Sequence, residues 1–140
     1  AKFGKASLPL PGGCKLGARP VDMHLEVLSK LGANVSCENC FINFKAPLGL
    51  IGNNITLRFP SVGVTENAIM AAVTAKGDTV LRGCAREPEI IDLSNFLNKC
   101  GAKISGHGTS IIHIQGVKTL HPCDFEIRPD RIETVTYLAA

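Results

Sequence analysis

Leu31-Gly32-Ala33-Asn34-Val35 returns 69 residues later as Cys100-Gly101-Ala102-Lys103-Ile104, and this return decides how the chain is organised. At the same offset Ile55-Thr-Leu-Arg-Phe-Pro60 meets Asp124-Phe-Glu-Ile-Arg-Pro129, Thr65 meets Thr134, and Ala71 meets Ala140. Three separate anchors at one spacing describe a single structural unit written twice. The 140 residues then divide into repeats of about 6–77 and 78–140, the second truncated, both belonging to part of one domain.

Around these anchors the local signals give the same order of elements in each copy. Pro20 to Leu31 reads as a helix, with Pro at its first position, an apolar stripe of Val21, Leu25 and Leu28, and Gly32 as its stop. Strands at Asn34–Cys37 and Phe41–Phe44 follow, joined by a turn at Glu38-Asn39. A loop with Pro47, Gly49 and Gly52 leads to a strand over Asn54–Phe59, then a turn at Pro60–Gly63 and a helix from Val64 to Ala75. Thr79–Arg82 is the next strand. The second copy gives a helix over Pro88–Lys99, strands near Lys103, at Ser110–Gln115 and at Cys123–Arg128, and a helix from about Asp130. The fold class is α/β (α+β), with mixed sheet and two helices per unit.

Composition narrows the function. The chain carries 15 Lys+Arg against 12 Asp+Glu, and a surplus of three positive charges is too small to indicate a nucleic-acid partner. The longest strictly apolar run, Ala68 to Val73, falls far short of the ~20 residues of a membrane span, so no membrane partner is expected. No secretion signal opens the chain, so its six cysteines are expected to be reduced. The first residue is not Met, and the last helix meets no Gly or Pro stop, which suggests an excerpt of a longer polypeptide.

The stretch Pro9 to Pro20 holds three glycines and three prolines and must be a loop. Cys14 lies in it, beside Lys15 and shortly before Arg19-Pro20, which opens a helix. On composition alone an incidental surface cysteine is the plainer reading. Its placement argues otherwise, because cations favour the thiolate, and Arg19 with a helix N-terminus attracts a phosphate or carboxylate. Pro60-Ser61-Val62-Gly63 is a second strand–turn–helix junction where backbone N–H groups can face an anion, although Ser at a helix start is more often only a cap. In the second copy Ser61 becomes Asp130 and Gly63 becomes Ile132, so only the first copy suits an anion.

The remaining clusters favour structure. Cys37-Glu-Asn-Cys40 lacks the second ligand pair that tetrahedral zinc needs, and His24, His107, His113 and His121 supply no zinc-like spacing. No metal and no cofactor are therefore expected. Cys84, Cys100 and Cys123 read as small packing residues. The carboxylates of Arg86-Glu-Pro-Glu89 and Asp130-Arg-Ile-Glu133 complement helix dipoles.

Five strings occur in order: Leu10-Pro-Gly-Gly-Cys-Lys-Leu-Gly-Ala-Arg-Pro-Val-Asp-Met-His24, Phe59-Pro-Ser-Val-Gly-Val-Thr-Glu-Asn67, Ala85-Arg-Glu-Pro-Glu-Ile-Ile-Asp92, Phe96-Leu-Asn-Lys-Cys-Gly-Ala-Lys-Ile-Ser-Gly106 and Pro129-Asp-Arg-Ile-Glu133. Together they resemble the UDP-N-acetylglucosamine enolpyruvyl transferases, along nearly the whole chain. The resemblance implies a cytoplasmic enzyme of peptidoglycan synthesis that moves the enolpyruvyl group of phosphoenolpyruvate to the 3-hydroxyl of UDP-N-acetylglucosamine. It implies repeated β-α-β-α-β-β units in an inside-out α/β barrel, completed by the remainder of the same polypeptide. Cys14 matches the family's loop cysteine, a general acid and the target of fosfomycin, and Arg19 matches an arginine of the substrate cleft. Arg19, Pro20, Val21, Asp22, Met23 and His24, with Pro60, Ser61, Val62 and Gly63, match segments that hold the sugar nucleotide. Val64 and Val135 depart from the usual Ala and Gly. The family's Lys-Asn pair, its aspartate base and several cleft arginines have no counterpart in this sequence. The shikimate-pathway enolpyruvyl transferases share the repeat fold and are the nearest enzyme alternative, but the loop cysteine is characteristic of the sugar-nucleotide family. A non-catalytic remnant or binding module of the same fold is the other alternative.

Overall fold

A computed structural model describes residues 3–9 and 21–140. Its first sheet contains β1 (Lys5–Pro9), β2 (Asn34–Glu38) and β3 (Phe41–Lys45), in the order β1-β3-β2 with both pairings antiparallel. Its second contains β4 (Asn54–Thr56), β5 (Asp78–Arg82), β6 (Lys103–Ser105) and β7 (Ile111–Gln115), in the order β4-β5-β7-β6. Here β5-β7-β6 is antiparallel throughout, like β1-β3-β2, while β4 joins β5 in parallel. Four helices complete the described structure: α1 (Asp22–Lys30), α2 (Val62–Ala72), α3 (Pro88–Lys99) and α4 (Arg131–Ala139). Read from β4 to β7, the elements follow as β-α-β-α-β-β and close one four-stranded sheet.

Helices α1, α2 and α3 pack side by side, and α2 and α3 cover one face of the second sheet. In α2, Val64, Thr65, Ala68, Ile69, Ala71 and Ala72 are all buried, so it presents a broad apolar surface and lies between α1 and α3. Its alanines let both neighbours approach. Met23, Val27 and Leu31 of the α1 region, Ile90 and Leu97 of α3, and Ile55, Leu81, Ile104, Ile112 and Ile114 of the sheet join it in one core. Along β5 and β7 the alternate residues Asp78, Arg82, His113 and Gln115 are exposed, so this sheet shows its other face to solvent. At Gly116 the chain runs close against Ala75: a Cβ there would stand 1.7 Å from the Ala75 carbonyl oxygen.

Several boundaries differ from the sequence reading. The hairpin turns at Asn39-Cys40, both at positive φ (51° and 62°), one residue later than expected. β4 ends at Thr56: its register with β5 covers Asn54, Ile55 and Thr56, and after one further bond, from the Leu57 N–H to the Arg82 carbonyl at 2.8 Å, Gly83 (φ +72°) turns the chain away. Helix α2 begins at Val62, not Val64, because Ser61 caps it with extended backbone. Cys123–Arg128 is not a strand at all. Its counterpart β4 has β5 to pair with, whereas residues 123–128 find no strand partner among the described residues and lie along α3, where Phe125 meets Phe96 and Arg128 pairs with Asp92. Without a ladder partner, alternation alone does not make a strand.

Candidate functional site

The loop residues Cys14, Arg19 and Pro20 lie outside the described residues. Of the others, Val21 stands at the α1 N-cap with no side-chain cap, and Asp22, Met23 and His24 form the first turn. Pro60 is exposed, Ser61 caps α2, and Val62 and Gly63 open it. These two helix starts come together. A Cβ built on Gly63 would lie 3.8 Å from His24 Cε1, ordinary contact, and nothing else crowds that position.

The first N–H groups of a helix have no partner within it, and they carry the positive end of its dipole. In α2 those groups belong to Val62 and Gly63, while the Val64 N–H reaches Ser61 Oγ at a long 3.5 Å. Gly63 is exposed, so a ligand can approach the backbone without meeting a side chain. The corresponding start of α4 differs: Asp130 Oδ1 accepts the Ile132 N–H at 2.8 Å and places a carboxylate over the helix end. That helix start therefore supplies its own anion.

Thr65 anchors α2 at this point. It is fully buried; its Oγ1 donates to the Ser61 carbonyl at 2.8 Å and accepts the Ala85 N–H at 3.1 Å. The start of α2 is thus tied to the turn that precedes α3, with Arg86 and the N-cap Glu87 next along the chain. The N-termini of α1, α2 and α3 are held toward one side of the molecule by these contacts.

Arg58 is the residue that the sequence reading passed over. It pairs with Asp22 and, at 3.4 Å, with Glu26 Oε2, while the other oxygen of Glu26, Oε1, takes Lys30 Nζ at 2.7 Å. The hydrogen bond from Arg58 holds the Asp22 carboxyl below its ordinary range, and Asp22 in turn raises Arg58. The available signal was its exposed alternate position two residues before Pro60. Met23, by contrast, is only 5% exposed, so its side chain belongs to the core and only its backbone is left for a ligand. Among the described residues no group of three or more His, Cys, Asp or Glu gathers as a metal would require.

The whole chain, residues 1–140, matches the family of EPSP synthase (3-phosphoshikimate 1-carboxyvinyltransferase), and it belongs to that family. Within it the chain is similar to proteins named UDP-N-acetylglucosamine 1-carboxyvinyltransferase. It is 54% identical over 140 residues to that of Nitratidesulfovibrio vulgaris (strain DP4), covering all of this chain and 33% of the relative. It is 52% identical to that of Psychrobacter arcticus, over 99% of this chain and 33% of the relative. The chain thus spans about a third of the length of the curated relatives it matches.

Two solved structures share the fold. The enolpyruvyl transferase NikO from Streptomyces tendae matches 98% of this chain and 33% of its own, with TM-score 0.82 at 24% identity. EPSP synthase from Acinetobacter baumannii matches 84% of this chain and 26% of its own, with TM-score 0.65 at 20% identity. The mixed α/β architecture is that of the enolpyruvyl transferases.

Proposed function

We propose that this chain is part of an enzyme that transfers the enolpyruvyl group of phosphoenolpyruvate to the 3-hydroxyl of UDP-N-acetylglucosamine and releases phosphate. The observation that carries this reading is the 50–54% identity, over essentially the whole chain, to proteins named for the UDP-N-acetylglucosamine reaction. The Pro-Gly-Gly-Cys loop supports the same choice over the shikimate substrate, as does the much lower identity, 20%, to an EPSP synthase structure.

In this reading the sugar hydroxyl adds to C2 of phosphoenolpyruvate while the methylene carbon takes a proton. Phosphate then leaves as that carbon gives a proton back. Cys14 is the group that delivers the proton as a thiol, and its sulfur can also bond C2 to give an adduct; fosfomycin would alkylate the same sulfur. Arg19 supplies charge to the phosphate or carboxylate. The segments Pro20–His24 and Pro60–Gly63 hold the nucleotide sugar, the open α2 start facing an anionic group and His24 bordering it. Asp22 is fixed by Arg58, so its carboxylate stays charged and its helix start stays in place.

The division of the chain into two repeats of one domain, about 6–77 and 78–140, belongs to the same proposal and rests on the period of 69. Because β4 completes the sheet of β5, β6 and β7, the repeats are interlocked and not separate modules. Missing cleft charges come from the rest of the polypeptide, as preorganised donors each worth roughly 3–4 kcal/mol in such sites. The setting would be the cytoplasmic start of peptidoglycan synthesis, and thus cell-wall growth and division.

The test is phosphate release by the full-length polypeptide containing this segment. Release is expected with phosphoenolpyruvate and UDP-N-acetylglucosamine, and not with shikimate 3-phosphate as acceptor. Loss on Cys14→Ala is expected, and the isolated 140-residue chain should not turn over. Release with shikimate 3-phosphate would transfer the assignment to the other reaction, and release with neither would favour a non-catalytic remnant.

A further inference from the structure

We infer that Cys100 and Cys123 are a reversible thiol oxidation site that forms an internal disulfide, independently of the reaction proposed above. Their sulfurs stand 3.4 Å apart, although neither belongs to the loop or helix starts of the candidate site. A disulfide needs about 2.05 Å, so a small movement joins them.

The approach is held in place from both directions. Residues Glu89, Asp92, Phe96 and Cys100 follow one another at spacings of three and four, which places them on one face of α3. The segment from His121 to Arg131 runs back along that face. Arg131 Nη2 meets Glu89 Oε1 at 2.9 Å, and Arg128 Nε meets Asp92 Oδ1 at 2.9 Å. The Phe125 ring meets Phe96 edge-on at 5.5 Å, and the His121 N–H donates to the Cys100 carbonyl at 2.9 Å. The two thiols therefore sit inside a row of matched contacts.

Their burial assigns their roles. Cys100 is buried and Cys123 is half-buried. Burial and the neighbouring Cys123 push the Cys100 thiol up, which disfavours its thiolate, while the half-buried Cys123 is the one open to an oxidant. With a hydroperoxide as oxidant, the Cys123 thiolate attacks the peroxide oxygen, breaks the O–O bond and becomes a sulfenic acid, releasing hydroxide. The Cys100 sulfur then attacks the Cys123 sulfur; the S–O bond breaks, and the thiol proton leaves with the oxygen as water. Two thiols and one hydrogen peroxide give one disulfide and two waters. The bond would pin residues 121–123 to the end of α3, in a segment that has no strand partner among the described residues.

Peptide mapping tests this. The full-length protein is treated with hydrogen peroxide under native conditions, free thiols are blocked with N-ethylmaleimide, and trypsin is added. Residues 100–103 and 119–131 should appear as one linked species lighter by two hydrogens than the two separate peptides, and dithiothreitol should separate them. The link should exceed any other cysteine pairing at least ten-fold in folded protein and lose that preference in urea. In Cys123→Ser, Cys100 should remain a thiol after the same treatment. Sulfinic or sulfonic acid on Cys123 with Cys100 still free would overturn the inference. So would pairing of either thiol mainly with Cys14, Cys37, Cys40 or Cys84.

Discussion

Replacing Thr65 by Val preserves volume at a fully buried site and removes one hydroxyl, and its expected cost can be worked from the partners. Thr65 Oγ1 donates to the Ser61 carbonyl at 2.8 Å, but that carbonyl also accepts the Thr65 N–H at 3.0 Å and so keeps a bond. The group left without a partner is the Ala85 N–H, on a residue only 1% exposed. An orphaned buried donor costs about 1–3 kcal/mol. With a urea dependence of about 1–3 kcal/mol per molar, the unfolding midpoint should fall by roughly 1 M. Thr79 provides the internal control. It too is 1% exposed, yet its Oγ1 has no hydrogen-bond partner among the described residues. The same Thr79→Val change removes an unpaired buried hydroxyl, so the midpoint should stay or rise. The chain has no Trp, so far-UV circular dichroism is the appropriate signal. A Thr65→Val variant within about 0.5 kcal/mol of the parent, or equal losses at both sites, would refute the reasoning.

Further outcomes follow from single features. Gly116→Ala should be severely destabilising in thermal melts, because its Cβ would stand 1.7 Å from the Ala75 oxygen; Gly77→Ala, at φ +85° with open space, should cost only about 1–2 kcal/mol. Asp22→Asn should lower the urea midpoint slightly at neutral pH. Arg58 depresses the Asp22 carboxyl, so the stabilisation is present above the unfolded value near 3.8 and is lost as pH falls through the folded one. The difference between parent and variant should therefore vanish in strong acid, and shrink in high salt because the pair is exposed. Burial pushes the Cys84 thiol up to about 11, so at pH ~8 iodoacetamide should label exposed Cys37 and Cys40 long before Cys84. Rapid native labelling of Cys84 would contradict its packing.

The sequence signals that held were those with local causes. Pro88 at the first helical position and Gly101 beyond the end bracket α3 as read, and Gly32 (φ +90°) closes α1 as a left-handed stop. Errors arose where a distant segment decides. Asn54–Phe59 and Cys123–Arg128 both read as strands, yet only the first pairs with β5, in a register of three residues. The Ser61 cap was legible, but not that it would place Val62 and Gly63 inside the helix. Arg58 was missed because its partners, Asp22 and Glu26, lie more than thirty residues earlier, and no local pattern reports an ion pair across that span. Cys100 and Cys123 read as separate packing residues for the same reason.

A similar arginine pairing occurs in both halves, one residue apart in the 69-residue register, with opposite results. Arg58, shortly before Pro60, ties its segment to carboxylates of α1, and Arg128, just before Pro129, ties its segment to Asp92 of α3. In the first half the chain continues into a helix with six buried residues, and in the second into α4 with none. The difference is what surrounds them: α2 lies between α1 and α3, whereas α4 keeps Ile132, Val135, Tyr137 and Leu138 exposed. A helix packed on one side by nothing gains little from its apolar face, and such a cluster on a surface ordinarily meets another part of the protein. β4 shows what such a segment gains from a partner: it pairs with β5 and completes a four-stranded sheet. α4 therefore adds little to the stability of the described residues, whereas α2 stands at the centre of their core.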